Sequence, residues 1–204
     1  MTRPHVQATD AGPTRREALR TALAGAALTG LVGLDQSRAG GASAATPSPA
    51  MDAEILQVFL ELEDAQRGFY TQAARERRLT GELRTVAQTV GAQEAEHSSA
   101  LRRLLGGRAR SGKPTAVGEA LSSPDAFREN AIALEEAVIA AYVGQAANLT
   151  RKAVTAITPM VSVEARQVAW LRDLAGLNPA PRAADPARPI QDVVRDLREK
   201  GLIA

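Results

Sequence analysis

The sequence predicts an all-α protein built as a four-helix bundle with one long crossover. Three observations carry this. Aromatic residues make up 3% of the 204 residues and hydrophobic residues 45%, so the apolar content is mostly Ala, Leu, Val and Ile, with few strand-like runs of alternating β-branched and aromatic residues. Four long stretches carry the 3.6-residue apolar period of a helix with one buried face. Strong stop signals fall between them: Gly106-Gly107 after the second and Gly176 after the fourth, with Pro179 and Pro181 beyond.

The first segment, about Met51 to Arg78, carries Leu56, Phe59, Leu62, Phe69 and Tyr70 as apolar members, and Leu79-Thr80-Gly81 breaks it. The second runs from about Glu82 to Leu105. The stretch GGRARSGKPTAVGEALSSP crosses to the third, about Ser123 or Pro124 to Leu149, where Ser-Ser-Pro-Asp is a good helix start. The fourth runs from about Arg151 to Ala175, and Pro159 inside it predicts a kink or a late start. A short terminal helix is expected over Pro189 to Lys200. Short turns within each pair and a longer link between pairs give the bundle its one-crossover topology.

Residues 1–44 read as a targeting segment outside the fold. Arg15 and Arg16 precede a modest apolar stretch, Thr21 to Leu34, too short for a permanent membrane span, and Ala42-Ser43-Ala44 fits a signal-peptidase site. The twin arginine resembles the signal of the twin-arginine export route. The expected product is an exported protein, cleaved near Ala44, with no stable membrane anchor. Residues 45–50 form a linker, 51–177 the bundle and 178–204 a Pro-rich tail with the short helix.

The segment also carries the charge. Its five Arg against Asp10, Glu17 and Asp35 account for the whole-chain formal charge of +2, so the mature chain is near neutral. The basic clusters at 75–78 and 102–113 lack interleaved aromatics, and no nucleic-acid partner is expected. The absence of cysteine excludes disulfides, thiolate metal sites and a cysteine nucleophile.

An internal repeat relates the two helical hairpins. Glu94, Leu101, Arg102, Leu104 and Gly106 stand at the same offsets as Glu164, Leu171, Arg172, Leu174 and Gly176. Leu62-Glu63 precedes Tyr70 as Leu134-Glu135 precedes Tyr142. On the second helix, Val90, Glu94, His97 and Leu101 share one face; on the fourth, Ile157, Val161, Glu164, Gln167 or Val168, and Leu171 do. Glu63 and Glu135 fall on the inward faces of the first and third helices, while Gln57, Glu61 and Asp64 fall on the polar side of the first. Each helix thus points one carboxylate inward.

Buried carboxylates are costly unless protonated, paired with a cation or bound to metal. Pairing by Arg67, Arg128 or Arg166 is one solution. Metal is the other, because a Glu from each of two helices and Glu-x-x-His from the others is the carboxylate-bridged arrangement of two iron or manganese ions.

At these residues the chain resembles the ferritin-like superfamily, and within it exported ferritin-like domain proteins related to plant desiccation-related proteins. The segments that carry the likeness are ILQVFLELEDAQRGFY, AQEAEHSSALRRLLG, ALEEAVIAAYVGQA and VEARQVAWL. The resemblance implies Glu63, Glu94, His97, Glu135 and Glu164 as ligands. Gln167 stands where the family's E-A-R-H phrase has its histidine. Glutamine is a poorer ligand than imidazole for iron or manganese, so the second position is expected to be weaker, empty or completed by water, with one or two ions per chain. Two function classes are open. One is an exported iron or manganese oxidoreductase acting on dioxygen, peroxide or ferrous iron, with Glu94 and Glu164 bridging, and Tyr70 or Tyr142 close enough to hydrogen-bond a ligand. The other is a non-enzymatic, stress-associated envelope protein with a vestigial site. An oligomer is left open, and nothing in the sequence identifies the contacts of an iron-storage shell.

Overall fold

The computed structural model describes residues 46–112 and 115–204. The expected export segment, 1–44, lies outside the described residues. Within them the chain is all-helical, with no strand: α1 spans Pro49–Ala73, α2 Gly81–Leu105, α3 Pro124–Gln145, α4 Arg151–Leu174 and α5 Ile190–Glu199. The four long helices form two hairpins, α1 with α2 and α3 with α4, and α5 packs on α3. None of the described helices is long and apolar enough to cross a membrane.

The helix starts follow from side-chain caps. Ser48, Ser123 and Thr150 accept the N–H groups of Met51, Ala126 and Ala153, which relieves the unpaired donors of the first turn. Pro49 and Pro124 sit just inside α1 and α3, where a missing N–H costs nothing. At the end of α4, Gly176 takes a φ of +70° and Leu177 N–H returns to the Arg172 carbonyl, a reversal that a side chain at Gly176 would strain.

Two boundaries and the expectation at Pro159 differ from the periodicity. α1 ends five residues before Arg78, because the chain tightens into short-range turns after Ala73 and bends Leu79 back into the core at 1% exposure. α3 stops at Gln145 and passes into a 3₁₀ turn over Ala146–Asn148 before Leu149. α4 starts at Arg151 and runs unbroken through Pro159. Both Pro159 and Thr155, whose carbonyl the proline leaves without a helical donor, are exposed, so water can satisfy it.

The polar side of α1 is not solvated throughout. Gln57 and Asp64 are buried under the crossover. Gln57 both donates to the Arg110 carbonyl at 2.8 Å and accepts from Arg110 N–H at 2.9 Å. Asp64 accepts from Gly112 N–H at 3.1 Å, and Gln72 donates to the Thr115 carbonyl at 3.0 Å. Spaced seven and eight residues apart, these side chains form one row along the helix and pin the loop to it. Arg102 closes the row with two 2.7 Å hydrogen bonds to the Asp64 carboxylate.

The tail is strapped down where α3 has no side chain. Arg188 N–H donates to the Ala140 carbonyl at 3.0 Å, and a Cβ on Gly144 would fall 2.0 Å from the Arg188 carbonyl oxygen. This approach lets Ile190, Val193, Leu197 and Leu202 reach the core. Gly144→Ala is therefore expected to displace the tail and lower the unfolding free energy by about 1–3 kcal/mol. Gly68→Ala, with nothing within 4 Å of the added methyl, should raise it by about 0.5–1 kcal/mol. Denaturant midpoints of the two variants check both signs.

Candidate metal centre

Each long helix brings one glutamate to the bundle interior, and Glu63, Glu94, Glu135 and Glu164 are all 0% exposed. Their helical rows explain the convergence: Phe59 and Tyr70 flank Glu63 on α1, and Val90 and Leu101 flank Glu94 on α2, all fully buried. Glu63, Glu94, His97 and Glu164 offer ligand atoms that all lie within 4.8 Å of one another. Glu135 is not one of these four.

His97 Nδ1 is the focus. It lies 2.9 Å from Glu164 Oε1, 3.2 Å from Glu94 Oε2 and 3.3 Å from Glu63 Oε2. A single ring N–H can serve one of three oxygens. The one with hydrogen-bond geometry is Glu94 Oε2, which leaves Glu63 Oε2 and Glu164 Oε1 without a donor. Among the described residues eight buried side-chain polar atoms lack a hydrogen-bond partner, and six belong to Glu63, Gln66, Tyr70, Glu135, Glu164 and Gln167. Native interiors seldom leave such atoms unsatisfied. Three carboxylate oxygens and an imidazole nitrogen converging from three helices suit a transition-metal cation of the iron or manganese type.

Arginine does not relieve the cluster. Arg67 reaches Asp64, Arg128 reaches Asp125, and Arg166 reaches Ser162. The acidic residues next to the inward glutamates do find guanidinium partners: Asp64 pairs with Arg102, and Glu136 with Arg172 at 2.6 Å. These two pairs occupy equivalent positions in the two hairpins. The inward carboxylates remain without such a partner.

The tyrosines cross between hairpins. Tyr142 on α3 donates its hydroxyl to Glu63 Oε1 on α1 and packs against Phe59 at a 36° tilt with ring centroids 4.1 Å apart. Tyr70 on α1 faces Glu135 on α3 without a hydrogen bond of good geometry. Burial, with nearby carboxylates, raises both phenols well above their usual range, so they stay protonated.

Two amide side chains complete the cluster. Gln167, the residue in the histidine's place, donates to Glu94 Oε1 at 2.7 Å and to Gln93 Oε1 at 3.0 Å. Gln66, 0% exposed, donates to Glu135 Oε2 at 2.8 Å and to Glu164 Oε2 at 3.2 Å. Sequence reasoning missed Gln66, although it stands three residues after Glu63, the same offset that singles out His97 and Gln167.

Protonation follows from this crowding. Burial, then the charge of Glu164, raises the Glu63 carboxyl; the same two causes raise Glu94 and Glu135 further. Burial alone would lower His97, but the carboxylates of Glu164, Glu63 and Glu94 crowded against Nδ1 outweigh it and push the imidazole up to about 12. All four groups bind protons more tightly folded than unfolded. The stability they confer is present below their unfolded values and is lost as pH rises through the folded ones. The melting temperature of metal-free protein is thus expected to fall between about pH 5 and about pH 8, over which the carboxyls and then His97 would lose their protons in the unfolded chain. A bound divalent cation should weaken or reverse that slope, because its ligands must shed protons to bind. Calorimetry across pH with and without manganese measures both slopes.

The family model described as Ferritin-like domain matches residues 51–177, which cover the four long helices save the first two residues of α1 and contain every residue of this cluster. A comparison with curated proteins gives no match. The chain belongs to the ferritin-like domain family.

Proposed function

We propose that the protein is exported by the twin-arginine route and binds iron or manganese through Glu63, Glu94, His97 and Glu164, using the metal for redox chemistry with dioxygen or peroxide. The observation that carries the metal reading is the approach of His97 Nδ1 to three carboxylate oxygens at 2.9–3.3 Å, two of them without a donor. Arg15, Arg16 and the Ala42-Ser43-Ala44 phrase support export.

When bound, such an ion would supply one-electron exchange with a small oxidant. The rest is the work of the chain. Tyr142 engages Glu63 Oε1, which leaves Oε2 turned to His97. Glu94 and Glu164 each present one oxygen to His97 Nδ1 and hold the other through an amide hydrogen bond. Neighbouring hydrogen bonds of this kind fix ligand orientation before the metal arrives. Full burial of the four glutamates excludes bulk water and bulky organic substrates, so the reactant must be small. His97, at 7%, is the most exposed of the metal-binding residues and marks the side from which ion and oxidant enter.

Anaerobic loading of residues 45–204 with ferrous iron or manganese, followed by elemental analysis and admission of oxygen or peroxide, tests the reading. The wild type is expected to retain metal and to oxidise ferrous iron faster than buffer does. His97→Ala and Glu164→Gln should each cut retention at least about tenfold, the effect expected for loss of a ligand or its support. Retention without accelerated oxidation would instead establish a non-enzymatic metal-binding protein, and absence of both would return the cluster to a structural role.

A further inference from the structure

We infer that the carboxamides of Gln66 and Gln167 occupy the place of a second cation, so that the chain binds a single metal ion. The inference rests on the proposed metal site and specifies its stoichiometry.

The hydrogen-bond pattern of the two central carboxylates carries it. Glu94 has Oε2 3.2 Å from His97 Nδ1, while Oε1 accepts from Gln167 Nε2 at 2.7 Å. Glu164 has Oε1 2.9 Å from the same Nδ1, while Oε2 accepts from Gln66 Nε2 at 3.2 Å. Each carboxylate therefore spans two positions: a histidine side, where Glu164 Oε1 and the neighbouring Glu63 Oε2 have no donor, and an amide side, where N–H donors already meet Glu94 Oε1 and Glu164 Oε2 and only Glu135 Oε1 is without one. Gln66 also donates to Glu135 at 2.8 Å, the one inward glutamate outside the converging group of four. A cation placed among Glu135, Glu164 and Glu94 on the amide side would have to compete with three N–H···O contacts. It would gain a neutral amide oxygen at best.

The repeat shows how the asymmetry is written. Three residues after each inward glutamate stand Gln66, His97, Val138 and Gln167. In the hairpin repeat Val138 corresponds to Gln66, and His97 to Gln167. Val138, 0% exposed, carries no donor with which to satisfy a carboxylate. By hairpin, α1 and α2 carry Gln66 and His97 while α3 and α4 carry Val138 and Gln167, but Gln66 reaches across to Glu135 and Glu164, so both amides meet carboxylate oxygens other than those that face His97. Gln167 alone does not account for a lost second ion; Gln66 must leave as well before the amide side matches the histidine side.

The experiment counts ions. Wild type, Gln167→His, Gln66→Val and Gln66→Val/Gln167→His are loaded anaerobically with manganese alone, and bound metal is measured by elemental analysis and by electron paramagnetic resonance. Wild type and Gln167→His are expected to hold about one ion per chain, giving the resonance of magnetically isolated manganese in proportion to total metal. The double variant should hold about two, with intensity lost to exchange between neighbouring ions. Gln66→Leu/Gln167→His, closer in volume to the native side chain, replaces the double variant if melting shows that Val at position 66 unfolds the protein. Two ions in the wild type, two in Gln167→His alone, or one in both folded double variants would overturn the inference while leaving the metal site intact. No manganese in any protein would overturn both.

Discussion

The structure depends on the burial of four carboxylates at one level of a helical bundle. Glu63, Glu94, Glu135 and Glu164 have no exposure, and an ionised carboxylate without water or a counter-charge is among the costliest groups a core can hold. The surrounding charges show that this is not a general shortage of cations. Asp64 and Glu136, one residue further along their helices, each receive an arginine from the partner helix of their hairpin. These two neighbours are paired; the inward glutamates receive only an imidazole, one phenol and amides. Such an interior does not serve stability, because apolar side chains of similar volume in place of buried charged groups are often neutral or stabilising.

The rest of the bundle holds that interior closed. The crossover is tied to α1 through Gln57, Asp64 and Gln72. The start of α1 is tied to the turn between α3 and α4, where Asp52 accepts from Thr150 N–H at 2.8 Å and from its hydroxyl at 2.6 Å. The tail crosses α3 at Gly144 and delivers α5. These contacts join segments distant in sequence around a core whose centre is electrostatically unfavourable without metal. They let the carboxylates remain together rather than separate by loosening the hairpins.

Much of this was legible in the sequence because helical periodicity is a local property. The four helices, their stop signals, the hairpin repeat, and the inward direction of Glu63, Glu94, His97, Glu135 and Glu164 all follow from residue spacing. Gln57 and Asp64 show where spacing fails. They do lie on the polar side of α1, but a loop from far along the chain covers them, and no period within α1 records that. The end of α1 was obscured by an arginine-rich stretch that suits a helix, whereas Leu79 needs a bend to enter the core. Gln66 was missed for a different reason. Its position was fully readable, but glutamine is a weak metal ligand, and its bonds to Glu135 and Glu164 join helices that spacing within α1 does not record.

The amide pair has a consequence for charge. Two divalent cations would neutralise four ionised glutamates. A single divalent cation would not, and the amides contribute dipoles rather than charge. Burial and the neighbouring Glu164 raise Glu135 well above the usual carboxyl range, so Glu135 can remain protonated while Gln66 holds its other oxygen. Glu63, Glu94 and Glu164 then present three negative charges to the ion beside neutral His97. This set is balanced by a trivalent ion and leaves a divalent one with excess negative charge in a site of low dielectric, where such imbalance is poorly screened. In a single-ion site the amide pair would act on reactivity as well as number: with one cation absent and its carboxylates retained, a bound redox-active ion would be biased toward its oxidised state.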